Sequence, residues 1–273
     1  MHIFRSKRFG PIESWEAGFG PLGPPLMTVH LYLVDGILVD TGQSHMGRVI
    51  SRALMDKTID CILLTHHHED HSGNAGRLHR ERGLPVLAHP LAAEKLNKIN
   101  SIRPYQKYIW GKAEPVTVSP LPAAIETGRL RLRPVHTPGH SKDHTVFLEE
   151  NRGWLFSGDL YLGDRIKYFR ADETMNDQIS SLRSVLRLDF DWLLCAHNPR
   201  PGQGKVHLQR KLDYLLAIRG EIQDLLDKGY SEKAIIRRMK DRETRLIQLM
   251  CLGNVSFANI IRSVVREYRA PLN

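Results

Sequence analysis

The chain has 273 residues, 41% of them hydrophobic and 25% charged, which is enough for one two-layer domain of about 200 residues and a small appendage. A core of that size needs no disulfides and the three cysteines are an odd number, so the composition argues against a disulfide-rich secreted scaffold and for a reducing cytoplasm. The formal net charge of +9 would suit anionic substrates, including nucleic acid.

Neither a membrane span nor export is expected. No run of about 18 apolar residues occurs, and the first nine residues lack the apolar stretch of a secretory signal, so a cytoplasmic location is predicted. Much of the positive charge lies in residues 205–273, which contain 14 Lys or Arg and 8 Asp or Glu. No aromatic interleaving supports a platform for stacked bases, so a solvated helical surface explains this charge better than nucleic-acid binding does.

The first part of the chain is predicted to lead up to one buried strand. Residues 1–26 are rich in Gly and Pro and are interpreted as an edge strand followed by a loop. Residues 27–40 alternate in hydrophobicity around an Asp-Gly pair, which predicts a hairpin. Residues 45–57 have the spacing of a short amphipathic helix.

Four metal-competent side chains follow the apolar strand that begins at Cys61, namely His66, His68, Asp70 and His71. Alternate residues of an extended segment point to the same side, so the first two histidines can share one metal ion. The Asp-His pair can hold a second ion as the chain turns into a helix. The pattern H-x-H-x-D-H is expected by chance in fewer than about one per cent of chains of this length, so it indicates a metal site.

The next elements are a helix over residues 72–82 and a strand over 84–88. Residues 90–114 are predicted to be helical and then irregular, and to border a substrate entrance. Further strands are predicted over 116–135.

Three more His or Asp residues each follow a predicted strand. Loops at one end of a rigid sheet are where catalytic groups converge, so packing alone does not explain this repetition. His144, which lies four residues after His140, is expected to be at most an outer neighbour of the site. The three are His140 after a strand that begins at residue 130, Asp159 after 153–157, and His197 after 192–196.

The loop after Asp159 carries polar and cationic residues that can bind a substrate carboxylate or phosphate. These candidate substrate contacts are Tyr161, Lys167, Tyr168 and Arg170. A helix follows over 174–187, and three more helices are predicted in the tail. The tail is expected to pack on the main domain, to cap the active site or to form a homodimer.

In this order, the seven metal-competent residues resemble the ligand series of the metallo-β-lactamase-fold hydrolase superfamily, over roughly residues 27–200. Thr-Pro-Gly-His140-Ser and Leu-Phe-Ser-Gly-Asp159 are typical of its glyoxalase II and lactonase members. The resemblance implies an α/β fold, a four-layer αββα sandwich over residues 1–204 followed by a small helical subdomain over 205–273. The sequence departs from the usual Gly-His-Gly wording around His197.

The resemblance also implies the role of each ligand. His66, His68 and His140 would hold a first metal ion, Asp70, His71 and His197 a second, and Asp159 would bridge the two. Asp40 would orient a ligand histidine, or else satisfy its own turn. Imidazole and carboxylate ligands without thiolate suit zinc, with iron or manganese as alternatives.

The leading hypothesis is a metal-dependent hydrolase of a small ester, thioester or lactone, similar to hydroxyacylglutathione hydrolase. Hydroxide shared by the two ions would attack the carbonyl, and Asp70 would assist proton transfer. Redox di-iron members of the superfamily have Glu where this chain has His68, which favours hydrolysis. The alternatives are a phosphodiesterase or small endoribonuclease, and a pathway regulator with residual hydrolase activity.

Overall fold

Two β-sheets face each other in this protein, whose computed structural model describes residues 1–98 and 102–270. The first sheet has seven strands that pair in chain order. Its first four strands are antiparallel neighbours and its last four are parallel. They are β1 (His2–Phe9), β2 (Ile12–Phe19), β3 (Val29–Val34), β4 (Ile37–Val39), β5 (Cys61–Leu63), β6 (Val86–Ala88) and β7 (Ser119–Pro120).

The second sheet has five strands, and a separate two-stranded ribbon lies beyond it. The five strands are β8 (Ile125–Glu126), β9 (Arg131–His136), β10 (Thr145–Glu149), β11 (Trp154–Gly158) and β13 (Trp192–Cys195). Their spatial order is β13-β11-β10-β9-β8, with β11 and β13 parallel. The ribbon pairs β12 (Phe169–Arg170) with β14 (Val255–Ser256).

Helices cover the outer faces of both sheets. The α-helices of the main part are α1 (Gly47–Leu54), α2 (Glu69–Ser72), α3 (Ala75–Arg82), α4 (Ala93–Asn97), α5 (Pro104–Ile109) and α6 (Met175–Leu186). The tail adds α7 (Gly204–Asp227), α8 (Glu232–Arg238), α9 (Arg245–Met250) and α10 (Phe257–Arg269). Short 3₁₀ helices lie at Ser44–Met46, Pro90–Ala92 and Lys240–Arg242.

The alternation of side chains along the strands produces the layers. On β3, Leu31 and Leu33 pack into the cluster formed with α1 and α3, whereas Tyr32 and Val34 pack between the sheets. On β10, Phe147 faces the other sheet, and its two neighbours face α6. The predicted αββα sandwich is therefore confirmed.

The structure corrects the interpretation of residues 1–26, where a single edge strand and a loop were expected. Two strands, β1 and β2, form a hairpin there, and the chain turns at Gly10 with a φ of +55°. Trp15 and Ala17 of β2 are buried, and β2 pairs with β3 along its length. Most of the glycines and prolines that suggested a long loop lie after this hairpin, at residues 20–25.

The tail shares a core with the main part of the chain. Leu208 of α7 and Val264 of α10 belong to the same buried cluster as Leu155 and Leu193 of the second sheet. Residues 205–273 therefore pack on the outer face of that sheet, so far as they are described. Among the described helices, including the 24-residue α7, none is long and apolar enough to span a bilayer.

Candidate metal centre

Seven side chains from four segments converge at one end of the two sheets. Because β11 and β13 are parallel neighbours, Asp159 and His197, which follow them, emerge side by side. The segment after β5 faces them from the other sheet, and His140 comes from the loop between β9 and β10. The full set is His66, His68, Asp70, His71, His140, Asp159 and His197, the same seven residues that the sequence singled out.

Three histidines form the first group, in which ligand atoms lie within 4.8 Å of one another. Nε2 of His66 lies 2.8 Å from Nδ1 of His68, and Nε2 of His140 lies 3.0 Å from the same atom. Three imidazole nitrogens that converge in this way supply three of the ligands of a tetrahedral or five-coordinate site. This is the group that the resemblance assigned to the first metal ion.

Asp70, His71 and His197 form the second group. Oδ2 of Asp70 lies 3.4 Å from Nε2 of His197 and 3.9 Å from Nε2 of His71. Asp159 connects the groups, because its Oδ1 lies 3.2 Å from His71 Nε2 and its Oδ2 lies 3.3 Å from His140 Nε2. Each oxygen of this carboxylate therefore faces a different group, as a bridging ligand requires.

Asp40 holds His71 in place from behind. Nδ1 of His71 donates to Asp40 Oδ2 at 2.8 Å, and the backbone N–H of Thr65 donates to Asp40 Oδ1 at 2.8 Å. Asp40 is buried and has a φ of +58°, a conformation that Asp tolerates better than most residues. The hydrogen bond fixes the tautomer of His71, so that Nε2 is left as the ligand atom.

Two further ligand histidines have partners that the sequence did not reveal. Nδ1 of His197 donates to the backbone oxygen of Thr28 at 2.6 Å. Nδ1 of His140 lies 3.4 Å from Glu173 Oε1. Neither contact could be recognised from the sequence, because a single glutamate before a helix and a backbone carbonyl before a strand belong to no sequence motif. Only the folded chain identifies them.

The buried carboxylates and histidines of the site strongly shift one another's pKa values. Burial by itself lowers the pKa of His197, but Asp159 and Asp70 raise it to about 10. The same two carboxylates, with Asp40, outweigh burial at His71 and raise its pKa well above the usual value. Burial raises the pKa of Asp159, yet the neighbouring histidines bring it well below its usual value. Buried carboxylates that pull positive charge onto histidines will also favour bound cations.

Unpartnered atoms mark where the cations fit. Nε2 of His71, Nε2 of His197 and Oδ1 of Asp159 are buried and have no hydrogen-bond partner among the described residues. Such orphaned buried atoms are rare in folded proteins, and a metal ion would satisfy all three at once. The residues present therefore fit a pair of divalent metal ions.

A cavity of about 210 Å³ lies over the seven residues. His68, Asp70, His140, Asp159 and His197 contribute to its lining, and most of the remaining wall is apolar. That wall comes from three distant segments, through Met27, Trp110, Ile247 and Met250 among others. Since the last two belong to α9, the helical tail caps the site.

Comparison with known proteins places the chain in a family. The family model described as the metallo-beta-lactamase superfamily matches residues 26–197, well over half of the chain. The chain belongs to the metallo-β-lactamase superfamily. A metallo-beta-lactamase family protein of Thermus thermophilus has a similar structure, with a TM-score of 0.65, 22% identity and 94% of each chain covered.

Two curated relatives are similar to this chain over only part of their own length. A beta-lactamase-like protein 2 homolog of Drosophila melanogaster is 31% identical over 66% of this chain and 62% of its own. An atrochrysone carboxyl ACP thioesterase of Aspergillus fumigatus is 29% identical over 76% of this chain and 42% of its own. The chain thus spans about half the length of the curated relatives it matches.

The four candidate substrate contacts of this superfamily member divide into two pairs. Tyr168 and Arg170 line the cavity. Tyr161 does not line it, because the ring is buried and the hydroxyl donates to Asp164 Oδ1 at 2.6 Å. Lys167 does not line it either, because its side chain is exposed on the outside of the loop.

His144 lies just outside the metal-ligand set, as an outer neighbour of the site. It is fully buried, and its Nε2 accepts a hydrogen bond from the backbone N–H of Asp159 at 3.1 Å. Its other ring nitrogen lies 2.8 Å from the hydroxyl of Thr137. Burial above all lowers the pKa of His144 to about 3, so the ring stays neutral and can accept this bond. His144 thus helps to position the bridging carboxylate.

Lys211 of α7 is a second buried support for the same loop. Its Nζ donates to the backbone oxygen of Leu160 at 2.7 Å, and the side chain is fully enclosed. Burial lowers the pKa of Lys211 from 10.5 to about 8. Between these two values the unfolded chain binds a proton that the folded chain lacks, so this group makes the protein more stable as pH rises.

We expect the substitution Lys211→Met to remove this pH dependence. Below pH 8 the buried charge costs the folded state about 3 kcal/mol, at about 1.4 kcal/mol for each tenfold change in proton affinity. Urea unfolding of both proteins at pH 7 and pH 10, at equal metal content, measures the effect. The free energy of unfolding of the wild type should rise relative to the variant between these pH values, and a constant difference would contradict the assignment.

Proposed function

We propose that this protein is a zinc-dependent hydrolase of a small carboxylic ester, thioester or lactone. The observation that carries the proposal is the position of a small, mostly apolar cavity directly over a site for two cations. When bound, two such ions lower the pKa of a shared water and polarise the carbonyl oxygen of a substrate. The set of five imidazoles and two carboxylates, without thiolate, supports zinc.

The residues of the chain perform the remaining tasks. Asp70 lines the cavity beside His197 and is placed to accept a proton as water adds to the carbonyl. The apolar walls exclude competing water and hold the body of the substrate. The rigid backing of His71 by Asp40 keeps the ligand nitrogen aligned during turnover.

The cavity supports a small ester over RNA. Among the described residues that line this cavity, Arg170 is the single Lys or Arg, whereas a nucleic-acid strand needs a groove of several cations along its backbone. A volume of about 210 Å³ also suits a small acyl group better than a polymer. The thioesterase name of the Aspergillus fumigatus relative points in the same direction.

A turnover panel tests the proposal. We expect protein with a measured content of two zinc ions to hydrolyse thioesters or lactones at least about a hundredfold faster than phosphodiesters or single-stranded RNA. A chelator should abolish the activity, and zinc should restore it. Cleavage of RNA without hydrolysis of any small ester would overturn the proposal and favour the nuclease alternative.

A further inference from the structure

The Arg170 side chain is largely buried close to the carboxylates of Glu69, Asp172 and Glu173, but one of its N–H groups lacks an acceptor. Its side chain is 19% exposed, and its Nε is buried with no hydrogen-bond partner among the described residues. It forms an ion pair with Asp172, but the distance from Nε to Oδ1 is 3.6 Å, beyond a hydrogen bond, and the Asp172 side chain is 62% exposed. A buried N–H that lacks an acceptor is costly, so the position of the Arg170 Nε–H indicates an acceptor that arrives with a ligand.

The fold holds Arg170 rigidly at this position. Its backbone pairs with Val255 in the β12–β14 ribbon, and its backbone N–H donates to Glu173 Oε1 at 2.9 Å. The ribbon connects the loop after Asp159 to the helical tail. The guanidinium is therefore presented on ordered backbone, as a site for a specific group requires.

The surroundings of Arg170 indicate which group that is. Arg170 and His68 line the same cavity, and His68 Nε2 is another buried nitrogen without a hydrogen-bond partner among the described residues. Since Nδ1 of His68 faces the first metal group, Nε2 bears the proton and is a donor. Two donors without acceptors in the lining of one apolar cavity suit an anion, and the guanidinium fork of Arg170 matches the two oxygens of a carboxylate.

We propose that Arg170 binds a carboxylate carried by the substrate, so that the preferred substrates are acidic esters or thioesters with an apolar body. This inference rests on the proposed hydrolase function. The reacting carbonyl would lie over the seven metal-binding side chains, the apolar body against α9 and Trp110, and the carboxylate on Arg170. The substrate carboxylate would thereby supply the acceptor that the Arg170 Nε–H lacks.

Matched substrates test the proposal with the metal-loaded enzyme. One pair compares adipoyl with hexanoyl thioesters, which differ by a carboxylate on the acyl part. The other compares thioesters of 3-mercaptopropionate with those of its methyl ester, which differ by a carboxylate on the leaving group. We expect the wild type to prefer the acidic member of at least one pair by about 10- to 100-fold in kcat/KM, the range for one charge-assisted contact.

The variant Arg170→Met should lose that preference, because kcat/KM for the acidic member falls about 10- to 100-fold further than kcat/KM for the neutral member. Arg170→Lys, which keeps the charge without the fork, should retain part of the preference. Arg165→Met is the matched control, because Arg165 is an exposed arginine on the same loop and should leave both rates unchanged. Metal content and thermal unfolding are measured for every variant.

Three results would overturn the inference. The first is a wild type that hydrolyses both members of each pair equally well, which would leave the proposed function intact. The second is an Arg170→Met variant that loses the acidic and neutral substrates to the same extent, which would give Arg170 a structural role. If no ester or thioester is hydrolysed, the proposed function fails, and the binding of adipamate and hexanamide is measured by calorimetry instead. The third result would then be an affinity for adipamate that is equal in the wild type and in Arg170→Met.

Discussion

Replacing Asp159 with asparagine is expected to lower hydrolysis by on the order of a thousandfold and to reduce the metal content from two ions to one. Each oxygen of Asp159 faces one metal group, at 3.2 Å from His71 Nε2 and 3.3 Å from His140 Nε2. An amide keeps the shape of the side chain but has one oxygen and no charge. It therefore cannot bridge two cations.

Turnover of the best substrate and elemental analysis of the purified variant measure these effects. Asp189→Asn is the matched control, because the Asp189 side chain is fully exposed and the same chemical change there should leave both quantities unaltered. Full metal content together with full turnover in Asp159→Asn would contradict the assignment of Asp159 as the bridging ligand.

Replacing Asp40 with alanine is expected to lower the free energy of unfolding of metal-depleted protein by about 3 to 5 kcal/mol. The substitution leaves the Nδ1–H of His71 and the N–H and hydroxyl of Thr65 without their buried acceptor. Because those groups are enclosed by protein, water does not replace the lost bonds. Metal affinity should also fall by about 10- to 100-fold, since His71 is no longer oriented.

A second variant and a control separate the causes of this loss. Asp40→Asn tolerates the φ of +58° and can still accept from Thr65, so its loss of stability should be smaller while metal affinity still falls. Asp35→Ala changes another aspartate with a positive φ, 46°, whose side chain accepts a hydrogen bond from Thr127 rather than from a metal ligand. Equal losses of metal affinity in Asp35→Ala and Asp40→Ala would show that backbone strain, rather than the contact with His71, is responsible.

The sequence predicted those features that depend on residue type or on the periodicity of a short segment. The alternation of Leu31, Tyr32 and Leu33 decides which side chains face each layer, and the layers follow. The glycine at 83, with a φ of +68°, ends α3 as its position after the helical pattern predicts. Residues 1–26 were misread because a count of Gly and Pro over the whole segment hid the alternating strand within it.

The sequence did not predict contacts between segments that are far apart in the chain. Thr28 and His197 are 169 residues apart in the chain, and Asn254 and Tyr105 are 149 apart, yet each pair is hydrogen-bonded. No local spacing encodes such a contact, because it depends on how layers and tail pack. The role of the tail as a cap, rather than as a separate unit, was therefore left open until α9 was seen over the cavity.

The sequence by itself identified the seven candidate metal ligands, because the type and the order of five histidines and two aspartates that follow strands indicate metal binding. Tertiary structure alone decided what surrounds that set: which partner orients each ligand, which walls enclose the substrate, and that the Nε–H of Arg170 is buried without an acceptor among the described residues. The physical reason is that ligand identity belongs to single side chains, whereas burial and orientation belong to the packing of segments far apart in the chain.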